Sequence, residues 1–358
     1  MLNKIKKYLY KMCDKSDTQY VNKLCYYLNQ VGGLKMDDMD SLMTYIRTLG
    51  TQQNTKTQGN YVVLLVGPPA SGKSLSRKIG CDIVRMYEEK IYNTKYPDIT
   101  TIEKSFFDTE VDALTYEIET EIKENDKMLI VIDLLISSLK KIIKEKGYDI
   151  DTLKNEDDKI KLVKQNINEI QSSSSKIYTK YRADKMSELL IYIAIFLKKN
   201  IYIESASINV TYYLNMLDNL GFYDYKPIII YPFIKDVNIL YERSIRRGLK
   251  EGRFLLCDAP SGGFSLKNMM LLAFQNYEKF KNSVVNKDYN FFYFIRYNAD
   301  LDKNARDKVD KGDFSDIYNT NHLIEMHYRY ALDNIVKEER TFNKKLNGDL
   351  KLVLDCKN

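Results

Sequence analysis

The chain has 358 residues, 44% of them hydrophobic and 29% charged, with 15 glycines, 6 prolines, and 55 lysines and arginines against 49 acidic residues. Few glycines and prolines beside abundant apolar side chains exclude a collagen-like or largely disordered chain, and a mean hydropathy of −0.42 argues against an integral membrane protein. A net charge of +6 with both signs interspersed offers no polybasic tail for nucleic acid or membranes, so function is expected from a local site.

In chain order, residues 1–57 read as an N-terminal helical region, with Leu24, Tyr27, Leu28 and Val31 at helical spacing and Met43, Ile46 and Leu49 after the Gly32-Gly33 break. Tyr61 to Val66 is apolar throughout and reads as a strand buried on both faces. A glycine-containing loop and a helix-compatible stretch, Leu75 to Tyr87, follow. Met128 to Ile136 is a core element, far short of the roughly 20 apolar residues a bilayer core requires. Residues 137–176, charged and ending in Ser172 to Ser175, read as a helical or flexible insertion.

Helices at Lys185 to Leu197 and Asp236 to Lys250 alternate with strands at Asn200 to Glu204, Ile228 to Phe233 and Asn290 to Tyr297. This alternation implies an α/β fold with a mainly parallel sheet. Residues 58–300 form the expected central domain, and 301–358 a C-terminal helical region with a helix near His322 to Glu338. Cys13, Cys25, Cys81, Cys257 and Cys356 are scattered and odd in number, which reads as reduced thiols in a cytoplasmic protein. No signal peptide is read at the start of the chain. His322 and His327, the only histidines, would diverge around a helix, so no histidine-based catalysis is expected.

Gly67-Pro68-Pro69-Ala70-Ser71-Gly72-Lys73-Ser74 directly follows the first strand and leads through Leu75 into a helix, matching G-x-x-x-x-G-K-[ST] in its required context. Such a loop turns several backbone N–H groups toward one anion at a helix N-terminus, where the dipole favours negative charge. Lys73 is expected to reach the β- and γ-phosphates of a nucleotide and the Ser74 hydroxyl to join Mg²⁺.

Carboxylates occupy the positions that phosphoryl transfer would use. Asp108 ends a second strand, Thr100 to Phe107, on the edge where open α/β sheets bind ligands, and would accept the proton of an acceptor hydroxyl; Glu110 and Asp112 are rivals, and a helix N-cap is the structural alternative for Asp108. Glu204 and Asp133 each end an apolar run and compete for the role of Mg²⁺-holding acid, with Asp133 alternatively on a helix. Arg243, Arg246, Arg247 and Lys250 share one helical face, and Arg253 follows; guanidinium groups of this kind stabilise the charge on a migrating phosphoryl group, unless the face is simply solvated. Gly248 and Gly252 suit a hinged flap.

Over roughly residues 60–255 these features resemble the zeta toxin family of P-loop kinases. The resemblance implies a three-layer P-loop kinase-like sandwich with Asp108 as general base. It places Lys185-Met186-Ser187-Glu188 in an acceptor-binding helix with Glu188 as a substrate contact, Glu204 in the segment where the family has Ile-Glu-Gly-Thr, and Arg243, Arg247 and Arg253 as lid arginines. The implied activity is Mg-ATP-dependent (or GTP-dependent) transfer of the γ-phosphoryl group to a hydroxyl of a small molecule, nucleotide or nucleotide sugar. The alternative is a P-loop ATPase or nucleotide-driven switch acting on a protein or nucleic-acid partner, although nucleic acid is not otherwise indicated. Acceptor and oligomeric state stay open.

Overall fold

The apolar run after Gly59 forms β1 (Asn60–Val66), buried from Tyr61 onward. It lies inside a seven-stranded sheet of order β2-β3-β1-β4-β5-β6-β7, with β2 (Phe106–Asp108), β3 (Asn200–Ser205), β4 (Tyr225–Phe233), β5 (Phe291–Asn298), β6 (Leu323–Leu332) and β7 (Ile335–Asn343). The computed structural model from which this is read describes residues 57–103, 105–108, 131–181, 191, 194, 195, 199–206, 209–221, 224–259, 265–287, 289–319, 322–332, 335–343 and 352–356. The expected N-terminal helical region, Glu110, Asp112, Glu188 and most of the helix expected over 185–197 lie outside these residues.

The chain divides into two compact units, one containing residues 55–106, 202–244 and 255–358, the other built from segments within 107–201 and 245–254. In the sheet unit, β1 pairs in parallel with β4, Val63 opposite Ile228, and β4 in parallel with β5, Ile230 opposite Ile295. Continuous burial of β1 and β4 explains why their sequences are apolar on both faces, since helices cover both sides.

On one side lies α1 (Lys73–Tyr92). A Cβ on Gly80 would come within 2.8 Å of Val63 Cγ1, so this helix packs directly on β1, and Ser76 Oγ meets Tyr297 Oη at 2.9 Å across to β5. On the other side Tyr277 of α8 (Leu266–Val285) meets the Tyr231 and Phe294 rings edge-on. Arg296 on that face is buried among aromatic rings, its guanidinium carbon 4.1 Å from the Tyr277 ring centre and 4.5 Å from that of Phe233. The fold is thus a mainly parallel α/β sandwich of three layers, as the alternation of elements implies.

Three elements differ from expectation. The second strand is only Phe106–Asp108; Ile99–Glu103 before it is a short helix, α2. The C-terminal region is not a helical layer: α9 (Lys303–Asp310) and α10 (Ser315–Tyr318) are short, and the expected helix at His322 to Glu338 is an antiparallel hairpin that extends the sheet. The cause is a period of two. Glu325 joins α8, where Tyr277 Oη donates to it and Lys281 Nζ reaches its Oε1 at 3.0 Å, and His327, two residues on in the same strand, places Nε2 2.7 Å from that oxygen. Tyr328 stacks on Tyr293, rings 5.1 Å apart. The outer strand β7 carries Lys337, Glu338, Glu339 and Arg340, charges that discourage further strand addition.

Glu325 makes the hairpin pH-sensitive. Burial pushes its carboxyl up, but hydrogen bonds from His327, Tyr277 and Lys281 and the Lys281 charge outweigh this and hold it at about 2, below its ordinary 4.5. The unfolded chain therefore takes up the proton first, and the stability due to this carboxylate is complete above pH 4.5 and lost as pH falls toward 2. Denaturation midpoints are expected to drop across that window, with a shallower drop in Glu325→Gln; an equal drop in both proteins would assign the acid sensitivity elsewhere.

The thiol expectation is also corrected. Cys257 and Cys356 form a disulfide, Cα atoms 5.9 Å apart, across a sequence separation of 99. Spacing alone could not reveal it, because the pairing depends on the C-terminal segment returning to the start of α7 (Val237–Glu251), where Val237 N donates to Val353 O and Val353 N to Lys235 O, both at 3.0 Å. Cys81 is a free thiol, buried, with Sγ 2.6 Å from Tyr202 Oη, and burial pushes it up to about 12. No helix among the described residues is long and apolar enough to cross a membrane.

In the second unit, residues 131–181 form α3 (Val131–Glu145), α4 (Glu156–Gln165) and α5 (Ile167–Tyr181). Asn155 caps α4 by accepting from Asp157 N at 3.0 Å. Ser138 and Ser173 hydroxyls, 2.6 Å apart, and the Lys146–Glu169 pair at 3.0 Å join α3 to α5. Gly248 and Gly252, the glycines of the expected flap, both stand in close contact. A Cβ on Gly248 would stand 2.4 Å from the Phe254 ring, and one on Gly252 2.5 Å from the backbone carbon of Leu135 in α3.

Candidate phosphate-binding site

The loop between β1 and α1 lies where the chain order around β1 reverses, with β3 on one side and β4 on the other, the crevice in which open α/β sheets bind ligands. Gly67 N donates to Ser205 O at 2.9 Å, which sets the end of β3 beside the loop. A Cβ on Gly67 would stand 3.1 Å from Ser71 Oγ and 3.5 Å from Pro232 O at the end of β4, so only glycine lets the loop close this tightly.

Two left-handed residues, Ala70 at φ 63° and Gly72 at φ 99°, reverse the chain direction twice within three residues. Alternation of this kind directs neighbouring N–H groups inward as an anion-binding concavity. For Ala70, a residue with a Cβ, it costs about 1 to 2 kcal/mol, a strain retained at the loop and not relieved by a glycine. The first N–H groups of α1 have no carbonyl one turn earlier in the helix to bond, and they add to the same pole.

Lys73 is buried, and its Nζ donates to the carbonyl oxygens of Gly67 at 3.2 Å and Pro68 at 3.1 Å, suspending one positive charge over the loop. Ser71 Oγ is buried with no hydrogen-bond partner among the described residues, an orphan hydroxyl inside the cradle. Ser74 is exposed and Leu75 half-buried at the start of α1; Pro69 is half-buried.

Glu204 and Arg243 flank this loop. The Glu204 carboxylate accepts from Arg77 Nη2 at 2.8 Å, and Arg77 lies over the Tyr202 ring, 5.3 Å from its centre, with the Phe106 ring stacked on Tyr202 at 4.3 Å. Arg243 on α7 is half-buried, donates to Ala299 O at 3.4 Å and pairs with Asp300 at 3.2 Å. Burial pulls its guanidinium down, against the opposing pull of Asp300. Ala299 is also the nearest neighbour of Gly72, whose Cβ position would be 3.9 Å from Ala299 Cβ.

Arg77 and Asp300, the partners of Glu204 and Arg243, were not legible as site residues. Arg77 stands four residues after Lys73, one helical turn on, which is a signal only once Glu204 is known to end a neighbouring strand.

The other expected residues are placed as follows. Asp108 is the last residue of β2, at the edge of the sheet next to β3. Asp133 lies within α3, the helical alternative for it, and does not end a strand. In the helical unit Arg247 pairs with Glu251 in its own helix, Arg246 with Glu156 at 2.7 Å, and Arg253 is half-buried after Gly252. Glu188 lies outside the described residues.

Ser74 and Glu204 are hard oxygen donors of the kind Mg²⁺ accepts, and Mg²⁺ beside phosphates usually takes one or two protein ligands only. Among the described residues, no group of three or more His, Cys, Asp or Glu could hold a metal ion.

No family model matches the chain. An uncharacterized protein of Acanthamoeba polyphaga mimivirus, L872, is 39% identical over 319 residues, covering 88% of this chain and 86% of the viral protein. A solved structure from the PezAT chromosomal toxin–antitoxin system of the human pathogen Streptococcus pneumoniae aligns with a TM-score of 0.38 and 11% identity, over 75% of this chain and 79% of its own.

Proposed function

The chain belongs to the family of that mimivirus protein, and from the chemistry of its phosphate loop we propose that it is a nucleotide-dependent phosphotransferase of the zeta toxin-like kind. It moves the γ-phosphoryl group of ATP or GTP to a hydroxyl of a small molecule, nucleotide or nucleotide sugar. The observation that carries this reading is Lys73, buried with its ammonium over a loop whose Ala70 and Gly72 are left-handed. Such a loop binds a polyphosphate through backbone N–H groups and one mobile charge.

Loop amides and Lys73 hold the β- and γ-phosphates, and the orphan Ser71 hydroxyl gains a partner. Ser74 and Glu204 would hold Mg²⁺, which would supply neutralisation of phosphate charge. Asp108 accepts the proton of the acceptor hydroxyl, Glu188 contacts the acceptor, and Arg243, Arg247 and Arg253 stabilise the charge of the migrating group. Most of the rate enhancement then comes from positioning and electrostatics.

The test is mass spectrometry of reactions containing Mg-ATP and a panel of hydroxyl acceptors that includes nucleosides, nucleotide sugars and oligonucleotides. Wild type is expected to add one phosphate to an acceptor, and Asp108→Asn to lose about 10²- to 10⁴-fold in rate, the usual contribution of a general base, while still binding ATP. ADP accumulation without any modified acceptor, undiminished in Asp108→Asn, would instead favour an ATPase or switch.

A further inference from the structure

We propose that the helical unit contains a second binding site, for an organic phosphate, in a cavity of about 700 Å³ between α3, the link that joins α3 to α4, α4 itself and the last turns of α7. The volume is in the range of small-molecule sites. Arg247 lines this cavity and is also used by the phosphotransferase reading, but the inference is carried by Lys154, Lys159 and Lys250, to which that reading gives no role.

The charge of the lining selects the ligand. Six cationic side chains face three carboxylates. Three of the cations are matched: Lys140 pairs with Asp151 at 2.8 Å, Arg246 with Glu156 at 2.7 Å, and Arg247 with Glu251. Lys154, Lys159 and Lys250 are left with no ion pair or hydrogen bond among the described residues. They come from three different elements, the link, α4 and α7, so their convergence on one cavity is a product of the fold and not of a single charged helix face. Three uncompensated ammonium groups around one space raise the local concentration of anions. Two of the matched pairs, Lys140–Asp151 and Arg246–Glu156, are exposed and individually weak, so their cations can turn to a ligand at little cost.

The floor sets the second requirement. Ile136 and Leu139 of α3, Ile150 of the link and Leu249 of α7 give the cavity an apolar lining beside the cations. Inorganic phosphate or pyrophosphate would leave that lining wet, whereas a phosphate ester with an aromatic or apolar group would cover it. A nucleoside diphosphate has both parts and a matching size.

The experiment uses the full chain with Lys73→Ala, which takes the phosphate loop's charge out of the measurement. Calorimetric titration with thymidine 5′-diphosphate is expected to give saturable binding that weakens as salt is raised. Adding Lys154→Glu and Lys159→Glu is expected to weaken it tenfold or more, and Lys154→Gln with Lys159→Gln by a smaller factor; these side chains bear no partners, so both proteins should melt with the parent. Pyrophosphate is expected to bind more weakly than the nucleotide. No saturable binding, or binding unmoved by both lysine pairs of substitutions, overturns the site. Pyrophosphate binding as tightly as thymidine diphosphate overturns its assignment to an organic phosphate. Because the titration is done without Lys73, its failure leaves the proposal for the phosphate loop standing, and failure of that proposal does not affect the titration.

Discussion

Lys73→Ala is expected to lower phosphoryl transfer by about 10²- to 10³-fold, the loss seen when one donor to the developing charge is removed. It should also weaken nucleotide binding by roughly tenfold or more, the equivalent of one charge-assisted hydrogen bond of about 1.5 to 3 kcal/mol. The fold should survive, since the Nζ bonds to Gly67 O and Pro68 O are contacts of the loop with itself, and α1 is joined to β1 through Gly80 against Val63 and to β5 through Ser76 against Tyr297. Equilibrium binding of a fluorescent nucleotide and single-turnover transfer separate the two effects, and an unchanged melting temperature isolates them from folding. A variant that transfers as fast as wild type would remove the loop from the reaction.

Gly252→Ala should be the most destabilising small substitution in the helical unit, by about 4 kcal/mol. Two costs coincide there: a φ of 68°, worth about 1 to 2 kcal/mol for an alanine, and overpacking, typically 1 to 3 kcal/mol. The second lies at its upper end because the new Cβ would meet backbone atoms, the carbon of Leu135 at 2.5 Å and the nitrogen of Ile136 at 2.6 Å, which cannot rotate away. The Gly252 carbonyl also accepts from Ser174 Oγ at 3.2 Å, so a shift of the turn strains α5 as well. Chemical denaturation should register the loss as a lower midpoint; a midpoint within error of wild type would mean that α3 and the turn separate freely.

Much of the sheet could be read from the chain because its central strands are buried on both faces and so appear as unbroken apolar runs, Tyr61 to Val66 and Ile228 to Phe233. The phosphate loop was legible for a different reason: its glycines, lysine and serine have meaning only between a strand and a helix, and both neighbours are unmistakable. The hairpin after residue 322 was not. Its strand carries Glu325 and His327 inward; Tyr277 and Lys281, some fifty residues earlier, arrive to bond Glu325, and His327 in turn is held by Glu325 and by Thr341 of β7. Partnerships of this range leave no periodic trace. The same holds for Arg77 with Glu204, for the lysines that meet around the second cavity, and for Gly252, whose need for glycine comes from a helix more than a hundred residues before it.

The bond between Cys257 and Cys356 makes α8, β5, β6 and β7 part of a closed covalent ring. A protease that severs any one peptide bond between these cysteines therefore releases nothing: the nicked molecule keeps its full mass and both new ends stay attached through sulfur. Nicking in this part of the chain becomes visible on a denaturing gel only after a reductant is added, whereas a cut between residues 57 and 257 separates the pieces without one.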